Sequence, residues 1–89
     1  MKKFELGGLA ITPGALSAME KVGVDAIEFL GRHQGGDWSE MDIADADENE
    51  FSIDNNLRIL SSYTYKNVKF WVITEADRSL TTILLPSEY

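Results

Sequence analysis

The chain has 89 residues, is 44% hydrophobic and 10% aromatic, and carries a formal net charge of −7. A chain of this length closes one hydrophobic core, and its apolar content argues against disorder despite the charge. The absence of cysteine removes disulfide frameworks and thiolate metal sites and makes a reducing cytoplasm the expected setting, while the acidic balance disfavours direct contact with nucleic-acid phosphates.

Lys2 and Lys3 give a positive start, but Glu5 and Gly7-Gly8 interrupt any export-signal pattern, and no window reaches the roughly 18 apolar residues of a membrane span. Neither export nor membrane insertion is expected. Phe4 to Ile11 reads as a short strand or arm, weakened by the paired glycines. Thr12-Pro13 starts a first helix, with Thr12 as cap and Pro13 where its missing N–H costs nothing. Ala15, Leu16, Met19 and Val22 then share a face, and Gly23 suits a left-handed stop.

Asp25 with Glu28 resembles a capping box for a second helix through Ile27, Phe29, Leu30 and His33, ending at Gly35-Gly36. The two helices are expected to form a hairpin. Read as a helix-turn-helix, the second would meet DNA with Asp25 and Glu28, the wrong charge for phosphates. Trp38 is expected to anchor the following loop in the core. A third helix is predicted from Ser39 or Asp42, with Ala44, Glu48 and Phe51 on its packed face and Asp54-Asn55-Asn56 at its end.

From Leu57 the composition turns β-branched and aromatic in three runs, Leu57 to Tyr65, Val68 to Glu75 and Leu80 to Leu85, joined by short gaps. In the middle run Val68, Phe70, Val72 and Thr74 point one way, and Lys69, Trp71, Ile73 and Glu75 the other. The expected architecture is therefore one α+β domain over residues 1–89. It has a strand or arm at 1–11, a helical hairpin and an acidic third helix within 12–56, and a three- to four-stranded antiparallel meander in which 57–89 supply the sheet.

Two candidate sites emerge. Asp37, Glu40, Asp42, Asp45, Asp47, Glu48, Glu50 and Asp54 fall in one segment without a Lys or Arg, so this stretch carries −8 and the remainder of the chain +1. Such a face fits a basic protein partner, in its strongest form by mimicking nucleic acid. The alternative is metal-independent RNA cleavage with His33 and Arg78 as acid–base group and cation, and Thr81 or Thr82 as phosphate contacts; Lys69, Glu75 and Tyr63 are further residues of suitable type. The bland reading of His33 is a buried histidine bonded to backbone or to Asp37, and that of Arg78 a turn ion pair. A calcium loop starting at Asp45 fails where Glu50 replaces the turn glycine and Asn56 the bidentate Glu, so neither metal nor cofactor is expected. Trp71 and Ile73 are a candidate surface for self-association.

Thr12-Pro13-Gly14-Ala15, Arg32-His33 leading into Gly36-Asp37-Trp38, Arg58 to Tyr63, Trp71 to Ser79 and Leu85 to Tyr89 together resemble a family of small bacterial proteins labelled plasmid-related or hypothetical. The resemblance spans Thr12 to Tyr89 and implies a mobile-element or accessory-gene setting without naming an activity. The order of elements also resembles the RelE/barnase-like nuclease fold, a likeness of plan that does not carry function.

Overall fold

The computed structural model describes residues 2–89 as β1 (Gly8–Ile11), α1 (Pro13–Val22), α2 (Ala26–Gln34), α3 (Ile43–Asn55), β2 (Ile59–Tyr65), β3 (Val68–Thr74), β4 (Leu80–Leu84) and a final 3-10 turn at Pro86–Glu88. The class is α+β, as expected. The sheet, however, is mixed: its order is β1-β4-β3-β2, with β2, β3 and β4 antiparallel and β1 lying parallel to β4. A parallel edge strand needs a long connection, and here everything between β1 and β4 supplies it.

The helix boundaries follow local chemistry. Thr12 Oγ1 accepts from the Ala15 N–H, Asp25 from Ile27 and Asp42 from Asp45. Gly23 and Asn56 close α1 and α3 in the left-handed region, at φ 75° and 53°. Glu88 adds a second tie at the start of α1, where its carboxylate accepts from Thr12 Oγ1 at 2.5 Å and from the Gly14 N–H at 3.0 Å. This anion at a helix N-terminus fastens the C-terminal turn to α1. Lys66 and Asn67, both at positive φ, form the two-residue turn whose twist suits the β2–β3 hairpin.

The first two helices, joined by the three residues Gly23 to Asp25, both pack on the sheet, α1 against β4 and α2 against β3. Ala15 and Met19 from α1 and Phe29 from α2 share one core with Tyr63, Phe70, Val72 and Ile83. A second cluster joins Phe4, Trp38 and Ile59. The strand expected from Phe4 thus begins only at Gly8, and Phe4 itself is a core residue of the arm. Gly7 makes the bend between them at φ 68°, where a Cβ would lie 2.3 Å from the Arg78 carbonyl oxygen.

The packed face of α3 also differs from the expected one. Phe51 is 56% exposed, while Asn49 and Ser52 are buried and Ala46 and Ile53 pack on the second cluster. Asn49 sets this rotation. Its Nδ2 donates to the Leu60 carbonyl at 2.8 Å and its Oδ1 accepts from the Leu60 N–H at 3.2 Å, as a neighbouring strand would. Glu40 accepts from the Thr64 N–H at 2.8 Å on the same edge. Side chains therefore occupy the free side of β2, the usual protection of a sheet edge.

The second face of β3 is covered from within the chain. Tyr89 meets Trp71 edge-to-face at 5.5 Å, and Ile73 is only 5% exposed. The self-association surface expected at Trp71 and Ile73 is correspondingly reduced.

Replacing Asn49 with Leu should cost about 2 kcal/mol, because two backbone groups lose their partners. Phe51→Ala should cost less than about 0.5 kcal/mol, as an exposed substitution. Urea denaturation of both variants checks the assigned rotation of α3: equal losses would contradict it.

Candidate functional site

His33 is fully buried, where β2, β3 and the arm meet α2. Its Nδ1 lies 2.5 Å from Ser61 Oγ and its Nε2 2.8 Å from Thr74 Oγ1. Thr74 Oγ1 is 2.7 Å from Thr81 Oγ1, which donates to the Leu6 carbonyl at 2.8 Å. A carbonyl only accepts, so the direction of the whole chain follows from that end. Thr81 spends its proton on Leu6, Thr74 donates to Thr81, and His33 must donate through Nε2–H. In the neutral ring this leaves Nδ1 to accept from the Ser61 hydroxyl.

The surroundings enforce the same state. Phe4 stands edge-on to the imidazole at 5.1 Å and Trp38 at 6.1 Å. Burial pushes the His33 pKa down from 6.5 to about 3. With both ring nitrogens occupied and no carboxylate among its partners, His33 is an internal crosslink. It is not bonded to Asp37, whose carboxylate accepts from Arg32 Nε at 2.6 Å.

Arg78, at positive φ in the β3–β4 loop, directs its guanidinium inward. Nη1 donates to the carbonyls of Leu57, Glu75 and Ala76, and Nη2 to that of Ser52 in the last turn of α3. That turn contains no basic residue of its own, so Arg78 supplies the cation its carbonyls favour. Arg78 also lies 5.8 Å from the Phe4 ring, which places Phe4 beside both Arg78 and His33. Thr81 belongs to the His33 chain, whereas Thr82 is half-buried on the opposite face of β4. Tyr63 is buried and donates its hydroxyl to the Asp37 carbonyl, Lys69 is exposed on the other face of β3, and Glu75 pairs with Arg58 at 3.7 Å. The polar residues of the nuclease reading are thus divided between an internal chain, a carbonyl clamp and the opposite face.

The acidic segment divides as well. Asp37 and Glu40 pair with Arg32, at 2.6 and 3.0 Å, and the Arg32 guanidinium lies over the Tyr63 ring at 4.4 Å. Hydrogen bonds from Ser39 and Arg32 hold the Asp37 carboxyl down at about 2. Asp42 caps α3. Glu50 accepts from Trp38 Nε1 at 2.6 Å and pairs with Lys3 at 3.2 Å, contacts that lower its pKa. Asp45, Asp47, Glu48 and Asp54 remain exposed on α3, and among the described residues none of their carboxylates forms an ion pair.

Alongside these free acids the same helix exposes Ile43 at 81% and Phe51 at 56%. Sequence reasoning missed these two as surface groups because it placed Phe51 in the core. The poor apolar periodicity of the segment was the available signal. Asp45, Asp47 and Asn49 lie on continuous helix, so they do not wrap a cation as a calcium loop does. Among the described residues no three His, Asp or Glu side chains form a metal-binding group. A depression of about 600 Å³ along α2 is lined by Asp25, Ile27, Glu28, Gly31, Arg32, Gly35 and Asp37, away from the His33 chain.

No protein-family model, curated protein or solved structure matches the chain.

The depressed His33 pKa sets a pH dependence. The unfolded ring takes up a proton near 6.5 and the folded ring only near 3, so stability is fully present above 6.5 and falls as pH drops between these values. At about 1.4 kcal/mol per pH unit, the full loss is on the order of 5 kcal/mol. The paired carboxylates act at lower pH, which leaves the interval from pH 6.5 to 5 mainly to His33. A urea series should show that slope in the native chain and its loss in His33→Met; an unchanged slope would exclude the assignment. Arg78→Ala should cost about 2 kcal/mol through the loss of its four hydrogen bonds to backbone carbonyls, two of them part-buried, again read from urea midpoints.

Proposed function

We propose that this protein is a binding protein, acting by occlusion on a basic protein partner through the outer face of α3. The observation that carries the reading is the set of four exposed carboxylates, Asp45, Asp47, Glu48 and Asp54, on one helix. They are available to a partner, whereas Asp37, Glu40, Asp42 and Glu50 are engaged in holding the fold.

Ile43 and Phe51 give the face apolar anchors inside the acidic field, a combination in which charge steers the encounter and apolar area slows release. A partner that itself binds nucleic acid would present the matching positive surface, so the strongest form of the reading is a nucleic-acid mimic that inhibits such a protein. The resemblance to plasmid-related bacterial proteins supports an accessory role of this kind in a bacterial cytoplasm.

The test is affinity capture from bacterial lysate with the native chain and with Asp45→Asn/Asp47→Asn/Glu48→Gln/Asp54→Asn. Basic proteins should be retained by the native chain, released as salt shortens the screening length below about 8 Å, and lost from the neutralised variant. Capture that survives neutralisation would overturn the reading.

A further inference from the structure

The two edges of the sheet are treated differently. On β2, Asn49 and Glu40 occupy outward-facing backbone groups of Leu60 and Thr64. On β1 nothing comparable is present among the described residues. The Gly8 N–H bonds Ser79 and the Thr12 N–H bonds Ile83, so the even-numbered backbone groups face β4. Strand alternation then turns the N–H and C=O of Leu9 and Ile11 to the free side.

The chemistry around this edge is also unlike the rest of the chain. From Leu6 to Met19 there are fourteen residues without a charge, in a protein of net charge −7. Leu9 is 59% exposed on the edge, Leu16 in the following helix 47% and Leu80 on the neighbouring strand 37%. The segment that carries −8 lies with α3 at the opposite, β2 edge of the sheet, so two copies meeting at β1 bring uncharged residues together and keep their acidic helices apart. The same neutrality gives a strongly basic strand nothing to recognise.

We propose that β1 is a self-pairing edge, on which a second copy of this chain docks its own β1 antiparallel to form a continuous eight-stranded sheet. The register follows from which groups are free. Leu9 faces Ile11 of the second copy and Ile11 faces its Leu9, which makes four backbone hydrogen bonds about a two-fold axis. Ala10 meets Ala10 on that axis as a non-hydrogen-bonded pair, the closest approach in an antiparallel ladder at about 4.5 Å between Cα atoms. A small side chain suits that position. Closed two-fold pairing uses up both free edges at once and leaves the β2 edges covered, so assembly stops at the dimer.

The absence of native cysteine makes the register directly testable. Ala10→Cys places two thiols at a spacing a disulfide spans, whereas Ser17→Cys, exposed on α1, serves as the control. Light scattering across a concentration series should show doubled mass for the native chain, and mild oxidation should crosslink Ala10→Cys in preference to Ser17→Cys. Leu9→Pro removes one outward N–H per copy without touching the bonds to β4 and should weaken the dimer roughly 30-fold. Leu9→Lys keeps the N–H but sets like charges near the axis and should also give monomer, which covers the case in which the proline variant folds poorly. Neutralising the four free acids of α3 should leave the dimer in place.

A chain that stays monomeric at its highest soluble concentration, with no preferential crosslink at Ala10→Cys, would overturn the proposal. So would a dimer that survives both Leu9 variants without that crosslink, or a purified monomer that pairs only with another protein's strand.

Discussion

The fold depends on one directed chain of hydrogen bonds, Ser61 to His33 to Thr74 to Thr81 to the Leu6 carbonyl. It links α2 and the three antiparallel strands to the N-terminal arm, through the seam between the two apolar clusters. Each member has one proton to give and one acceptor to give it to, so the chain is satisfied only in one direction and one tautomer. No buried side-chain polar atom among the described residues is left without a partner. That matters because a half-satisfied buried network is more costly than an apolar core, and a complete one fixes a unique arrangement.

The same principle sorts the acidic segment into two populations with different work. Asp37, Glu40 and Glu50 are held by Arg32, Lys3, Trp38 and the β2 edge, so their charge is partly neutralised and their positions are set. The free acids of α3 have no such partners, and their mutual repulsion is tolerated because the helix is anchored by other means. Asn49 ties it to β2, Arg78 caps its last turn, and Ile53 and Ala46 pack beneath it. A helix held by polar links can leave Ile43 and Phe51 outside, where an amphipathic helix of ordinary pattern would bury them.

Much of this architecture was legible in local chemistry. Thr12-Pro13, Asp25 and Asp42 mark helix starts, Gly23 and Asn56 mark stops, and the runs after Leu57 form the strands, because caps and turns depend on neighbouring residues alone. What failed to show was whatever depended on pairing at a distance. An Asn in a helix reads as a surface residue until a strand edge needs plugging, so the face of α3 was assigned through Phe51 instead of Asn49. Ser61 and Thr74 look like ordinary strand residues until His33 arrives between them. Their inward position in a buried strand was the clue, since a polar side chain there requires a partner. The parallel placement of β1 was hidden for the same reason, being decided by contacts between Leu6, Gly7 and the far end of the sequence.

That last contact connects the interior to the open edge. Thr81 holds the Leu6 carbonyl, and the positive φ of Gly7 turns the chain at once into register with β4. At its other end β1 runs into Thr12, fixed by both the Ile83 carbonyl and Glu88. A four-residue strand would ordinarily fray, but this one is clamped at both ends before any second strand meets it. The backbone groups of Leu9 and Ile11 are therefore already arranged for pairing, and docking a strand there loses little conformational freedom in β1 itself. The network that occupies both ring nitrogens of His33 is thus also what holds the exposed edge in its strand geometry.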